Sequence, residues 1–290
     1  MSYLRKVLKI GNSSLFITLP KPWCERFGIK EGEHIEIFET SAGELLIAPP
    51  KVHEKEKPFV VKITEKNKKY LEKVISYFYI NGFNKLTIYY SNKEDFELAK
   101  KIAESKFIGL ILTSQSNGSA EFEFALDINK VNFIELVRRM DRITSSMSSY
   151  INNKDKLVDL DLEVDKIYFL LIRMLRTGLT NSEVSKKLAF TPVKYLDFRL
   201  VLHFIETFGD EIVRLSGKIK QEDLEIIIKL KERSLSAFLG NSDVSPDEIE
   251  QLTKKAEEIA KMYEPETRTS FIRMVEMAKD IADLSETLYL

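Results

Sequence analysis

The feature that most constrains this chain is a change of hydrophobic period along it. From Val131 to Leu290 apolar residues recur at helical spacing, whereas the opening stretch alternates with the period of two that belongs to strands. The helical stretch is interrupted at "NNKD", "TGLTN" with "FTP", "SGK", "GNSDVSP" and "EPET". Those interruptions predict six helices over 131–152, 160–178, 193–216, 221–239, 246–263 and 266–288. Ser245 before Pro246 supplies an N-cap followed by proline at the first helical position. At 290 residues the chain is too long for one small core and suits several domains.

The opening stretch, residues 1–50, reads as short strands and turns around one helix, "KPWCERFG". His34 to Glu39 alternates strictly, and Ala42-Gly43 is a hairpin turn before "LLIA". Residues 51–58, "KVHEKEKP", read as a charged linker. Residues 59–128 alternate strand and helix, and Asn117-Gly118 joins "FIGLILT" to the alternating "EFEFALD" as a hairpin. A right-handed crossover places the first strands of this small α/β unit parallel. It contains no G-x-G-x-x-G, no P-loop and no triad candidate, so it carries no assigned chemistry. The expected architecture is therefore multidomain α and β, with a helical region over 129–290 divided as 131–216 and 221–290.

Charge narrows the function classes. Lys and Arg number 44 against 45 Asp and Glu, which excludes a globally basic chain and requires any nucleic-acid contact to use locally concentrated cations. Arg5, Lys6 and Lys9 lie on or beside the first strand, and Lys21 follows "TLP". A symmetric dimer doubles such a cluster, and Asn12, Ser13 and Ser14 add short donors for DNA. The alternative is a module that only dimerises, because the acids from Glu31 to Glu44 offset the positive charge. Cys24 stands alone, so no internal disulfide forms and a reducing cytoplasm fits. No run approaches the length of a membrane span, and a soluble, cytoplasmic protein without membrane insertion is expected.

Two octets stand out in the helical region. "IETFGDEI" at 205–212 and "VEMAKDIA" at 275–282 each place a Glu four residues before an Asp: Glu206 with Asp210, and Glu276 with Asp280. Like charges at this spacing repel on one helix face, and their apolar neighbours Ile205, Phe208, Met274 and Ile281 imply burial. A hard cation held by clustered oxygens would offset both costs; the alternative is a solvated acidic face or pairing with Arg199, Arg214 and Arg273. His203, three residues before Glu206, is a candidate imidazole ligand or a structural histidine. The spacing of the octets implies two copies of a three-helix unit.

On these residues the last 160 or so positions resemble the PhoU family. The resemblance implies tandem three-helix bundles whose motif carboxylates hold multinuclear metal clusters. "VDLDLEVDKI" then supplies Asp161 and Asp165 as the matching acidic pair of the first bundle. The second bundle departs from the pattern, since Asp243 lies before Pro246 and the octet lacks the glycine of Gly209-Asp210. The first fifty residues, through "GNSS", "TLPK" and "GIKEGE", resemble the AbrB/MazE/SpoVT swapped-hairpin barrel, which forms by interlocking two chains. The two together resemble archaeal PhoU-like regulators. What the resemblance implies is a homodimeric, non-enzymatic regulator of phosphate uptake, with Fe, Zn, Mg, Mn or Ca in its bundles. DNA and a phosphate transporter ATPase or signalling protein are the implied partners. The alternative function is a carboxylate-bridged metalloenzyme, against which neither octet offers the Glu-x-x-His pair of helical di-iron oxidases.

Overall fold

The computed structural model describes residues 3–11, 14–39, 43–48, 58–64 and 68–289. Two compact units result, Met1–Lys57 and Pro58–Leu290. Asn12, Ser13 and the turn residue Ala42 lie outside the described residues.

The first unit contains two separate hairpins and one helix. Strand β1 (Leu8–Ile10) pairs antiparallel with β2 (Ser14–Phe16), with Leu8 opposite Phe16. Helix α1 (Lys21–Phe27) starts after Pro20 and stops at Gly28, whose φ of 63° is open to glycine at no steric cost. The amide of Ile29 then donates to the Cys24 carbonyl at 2.9 Å. Strand β3 (Glu36–Glu39) pairs antiparallel with β4 (Leu45–Ala48).

In the second unit, β5 (Phe59–Lys62), α2 (Leu71–Ile80), β6 (Lys85–Tyr89), α3 (Lys93–Lys106), β7 (Leu110–Ser116) and β8 (Ser119–Phe124) form a sheet of order β5-β6-β8-β7 with helices on one face. The β5–β6 pair is parallel across the α2 crossover, and the other pairs are antiparallel. Leu86, Ile88, Ala120 and Phe122 of the sheet pack with Ile75, Phe78, Phe96 and Ala99 of the helices. Period-two alternation along the strands places these residues on one face.

The helices follow as α4 (Phe133–Ser146), α5 (Lys154–Gly178), α6 (Ser182–Leu188), α7 (Pro192–Arg214), α8 (Gln221–Phe238), α9 (Pro246–Ala260), α10 (Pro265–Asp283) and α11 (Glu286–Tyr289). Several boundaries differ from the sequence expectation: α4 ends at Ser146, with a 3₁₀ turn over Met147–Tyr150, rather than at 152, and α10 ends at Asp283 rather than at 288. Helix α5 begins at Lys154 rather than 160, because the Asn153 side chain accepts from the Lys156 amide at 3.1 Å and caps it there. The expected break after 178 holds the short helix α6, capped by Asn181, anchored by buried Val184 and Leu188, and ended by Ala189 at φ 52°. Seven residues are too few to display a helical period. The apolar cores also cross the expected 216/221 division. One joins Leu157, Phe208 and Ile212 to residues of α8, α9 and α10; the other joins Phe198 and Ile205 to Leu235, Phe238 and Ile281.

Arg173 on α5 is one of the links between the α/β segment and the helices. Arg173 is buried, 2% exposed. It donates to the carbonyls of Tyr79 at 2.6 Å and Phe83 at 3.1 Å, and to Asn84 Oδ1 at 2.7 Å. The guanidinium lies 3.7 Å from the centroid of the Phe124 ring. A planar five-donor group reaches the Tyr79 carbonyl in the last turn of α2 and the acceptors of Phe83 and Asn84 just after it at once, which an ammonium does less well. Arg173→Met should cost about 3 kcal/mol through the lost charge-assisted hydrogen bonds, read as a lowered melting temperature; an unchanged melting temperature would show that the seam does not depend on this side chain.

Candidate functional site

The acidic residues of α5 and α7 form the most polarised region of the second unit. Asp161 and Asp165 lie one turn apart on α5, Glu206 and Asp210 one turn apart on α7, and the two helices pack along each other. Gly209 lets them approach: a Cβ there would sit 3.1 Å from Asp161 Oδ1. All four acids are half-buried. Burial, then the charges of Asp210, Asp165 and Glu206, push the Asp161 carboxyl up to about 7. Burial and Glu206 push Asp165 up to about 6, against the pull of Lys106. Glu206 is raised by burial and Asp210, and Thr207 and Arg199 oppose the rise.

His203 Nδ1 stands 3.5 Å from Glu206 Oε2, which as a distance alone resembles an ion pair. Burial and the nearby Arg199 and Arg273 lower the His203 pKa, so the imidazole is neutral near pH 7 and the contact is not an ion pair at that pH. The arginines expected to neutralise the acids are partly engaged elsewhere. Arg214 and Arg273 both donate to Oε1 of fully buried Glu211, at 2.8 and 3.0 Å, linking α7 to α10.

The second octet is arranged differently. Glu276 and Asp280 are exposed on α10, Glu276 stands 3.4 Å from Lys279, and the groups that shift Asp280 after burial are Glu276, Asp283 and Lys279 of its own helix. The structure therefore gathers acids from two helices at the first octet, and at the second the electrostatic neighbours come from one. Two members of the first cluster had no signal in the sequence. Lys106 and Glu72 come from the α/β segment, where their Nζ and Oε1 pair at 2.5 Å, and both act on Asp165. Only the docking of α2 and α3 onto α5 brings them there.

Carboxylate oxygens suit a hard cation in chemistry. Among the described residues no three Asp, Glu, His or Cys side chains are grouped closely enough to hold a metal ion as they stand. Cation binding at the first octet thus requires the carboxylates to draw together from the positions they take here.

In the first unit Arg5, Lys6 and Lys9 are exposed around the start of β1. Arg5 donates to the Leu4 carbonyl at 3.1 Å, Lys9 lies opposite Leu15, and Lys21 stands 3.8 Å from Glu25. Ser14 opens β2 opposite Ile10, and both Asn12 and Ser13 fall outside the described residues. No described side chain of Met1–Lys57 is buried. Leu4 is 96% exposed, Leu15 71% and Leu45 66%. A groove of about 690 Å³ runs between Leu19, Pro20 and Trp23 on one side and Leu45 and Ile47 on the other.

The sign of the pH response follows from the raised carboxyls. Asp161 and Asp165 are charged in the unfolded chain above pH 4, while the folded site resists their charge up to about 7 and about 6. They therefore oppose folding at high pH, and the opposition is relieved as pH falls through those values. In metal-free buffer at pH 8, Asp161→Asn with Asp165→Asn should raise the melting temperature by a few degrees. The gain should shrink toward pH 5; a pH-independent gain, or a loss at pH 8, would contradict the electrostatic picture.

Among the described residues no helix is long and apolar enough to cross a membrane. No curated protein and no solved structure matches the chain. Residues 8–55 match the family model described as antidote-toxin recognition MazE, a bacterial antitoxin, which supports an AbrB/MazE-like domain at the N-terminus and ends before the α/β segment begins.

Proposed function

We propose that the chain is a non-enzymatic regulator whose N-terminal unit pairs with a second copy and presents a doubled basic surface to DNA. The observation that carries this reading is the first unit's lack of any buried side chain among its described residues, with Leu4, Leu15 and Leu45 exposed. Apolar surface on that scale is covered by another chain or it destabilises the fold. AbrB/MazE-like domains typically dimerise and bind DNA, and the family match spans this unit. Pairing brings two sets of Arg5, Lys6, Lys9 and Lys21 together, so the modest charge of one copy becomes a phosphate-binding strip.

The helical unit is the sensing part of this proposal. Its first acidic cluster takes up a hard divalent cation, with Asp161, Asp165, Glu206 and Asp210 as ligands. Glu276 and Asp280 are a weaker second position. Support comes from the burial, and after it the mutual repulsion, that raise Asp161 and Asp165. The finer reading, control of phosphate uptake through a transporter ATPase or a signalling protein, rests on the likeness of the helical octets to the PhoU pattern.

Titrating duplex DNA with the full chain over a salt series tests the regulatory role. Affinity should fall with a log–log slope of about −0.9 per phosphate contacted. The Arg5→Ala, Lys6→Ala, Lys9→Ala variant should bind all sequences more weakly and with a shallower slope. Absence of binding by the native chain at low salt would remove the DNA role.

A further inference from the structure

The four-stranded sheet of the second unit has two edges, and they are built differently. Edge strand β5 is four residues long, follows Pro58 and ends at Lys62, and proline and lysine both block a strand from pairing outward. Edge strand β7 is seven residues long with no charge and no proline, and Thr113 to Ser116 are all exposed. Among the described residues no strand lies on its outer side. The direction of its backbone groups follows from its pairing with β8. Phe124 donates its amide to the Asn84 carbonyl, on the β6 side, so at the Leu110–Phe124 pair β7 turns its own groups outward. The Leu110 amide is taken there by the Phe107 carbonyl, and alternation turns the groups of Leu112 outward next. At the other end Ser116 and Ser119 close the Asn117-Gly118 turn as a hydrogen-bonded pair, which leaves Gln115 outward. A regular strand presents outward groups at every second residue. Here the register slips between Leu112 and Ser114, so the outward positions Leu112 and Gln115 are three residues apart.

We propose that the β7 edge is an interface to β7 of a second copy of this chain, the two strands running antiparallel about a twofold axis between Thr113 and Ser114. An added strand without the slip matches Leu112 or Gln115 and misses the other. A second β7 has the same three-residue spacing, so Leu112 of each copy exchanges both backbone bonds with Gln115 of the other. Because β7 carries no charged side chain, the pairing sets none of its residues against a like charge. The two sheets then run on as one, and the α/β segment, which carries no catalytic motif, gains a part in assembly. The choice of a second copy also draws on the N-terminal pairing proposed above, which holds two β7 edges at high local concentration through the continuity of each chain.

Hydrogen exchange resolved to single amides, on the full chain at a concentration where solution mass gives two chains, tests this. The amides of Leu112 and Gln115 should exchange more than about tenfold more slowly than unbonded amides. Gln115→Pro removes one donor from each bonded pair and should return Leu112 to fast exchange, whereas Gln115→Ala, which keeps the amide, should not. The amides of Ile111 and Ser116, which face β8, should stay protected in both variants and show that the hairpin is intact. Should the proline variant lose them as well, dilution of the native chain to single chains makes the same test, since Leu112 and Gln115 should then exchange fast while Ile111 and Ser116 stay protected. Fast exchange at Leu112 and Gln115 in a two-chain species whose N-terminal strands are protected would overturn the strand pairing and leave the N-terminal pairing standing. Slow exchange at Leu112 and Gln115 with unprotected N-terminal strands would support the strand pairing without the tether. Protection of Leu112 and Gln115 that survives dilution to single chains would show that one chain covers its own edge, and would overturn the proposal. Single chains at every concentration would overturn both pairings.

Discussion

Among its described residues the N-terminal unit buries no side chain, and the rest of the functional reading depends on that constraint. Two hairpins of three- and four-residue strands and one seven-residue helix leave Leu4, Leu15 and Leu45 exposed. Isolated two-stranded hairpins are at best marginally stable in water. In the proposed pairing a second copy brings the same strands and the same apolar groove, so that a twofold arrangement would satisfy both chains at once. The same twofold doubles a group of cations too sparse in one copy to define a nucleic-acid surface.

A second constraint organises the larger unit. Helix α5 carries Asp161 and Asp165 on one side and Arg173 further along, so one rigid element connects the acidic cluster to the α/β segment. Arg173 ties α5 to the end of α2 through three hydrogen bonds, and the Phe107–Phe169 contact holds the end of α3 nearby. With these contacts made, Lys106 and Glu72 have fixed places beside Asp165. Glu211 plays the corresponding part between α7 and α10 by drawing Arg214 and Arg273 away from the motif acids.

Much of this was legible in the residues. The Asn117-Gly118 hairpin, the parallel β5–β6 pair and the Ser245 cap follow from turn chemistry, crossover handedness and capping, all of which are local. The facing of Asp161 and Asp165 toward Glu206 and Asp210 came from i,i+4 spacing together with family resemblance. What stayed hidden depends on tertiary contact. Helix α6 is too short to show a period, and the cores mix residues from both expected bundles because α7 packs on α10 as well as on α5. Lys106 is separated from Asp165 by the whole of β7, β8 and α4, and no spacing rule reaches across that distance.

Hydrogen exchange on the backbone amides of 8–10, 14–16, 36–39 and 45–48, measured alongside solution mass over a dilution series, tests the central claim most directly. If two chains are needed to build the N-terminal unit, a species of twice the chain mass shows protected amides, and protection in these four segments is lost together as dilution separates the pair. The amides of Pro58–Leu290 keep their protection through the same dilution. A species of single chain mass whose four segments remain protected would contradict the claim, because it would mean that one chain stabilises the unit alone.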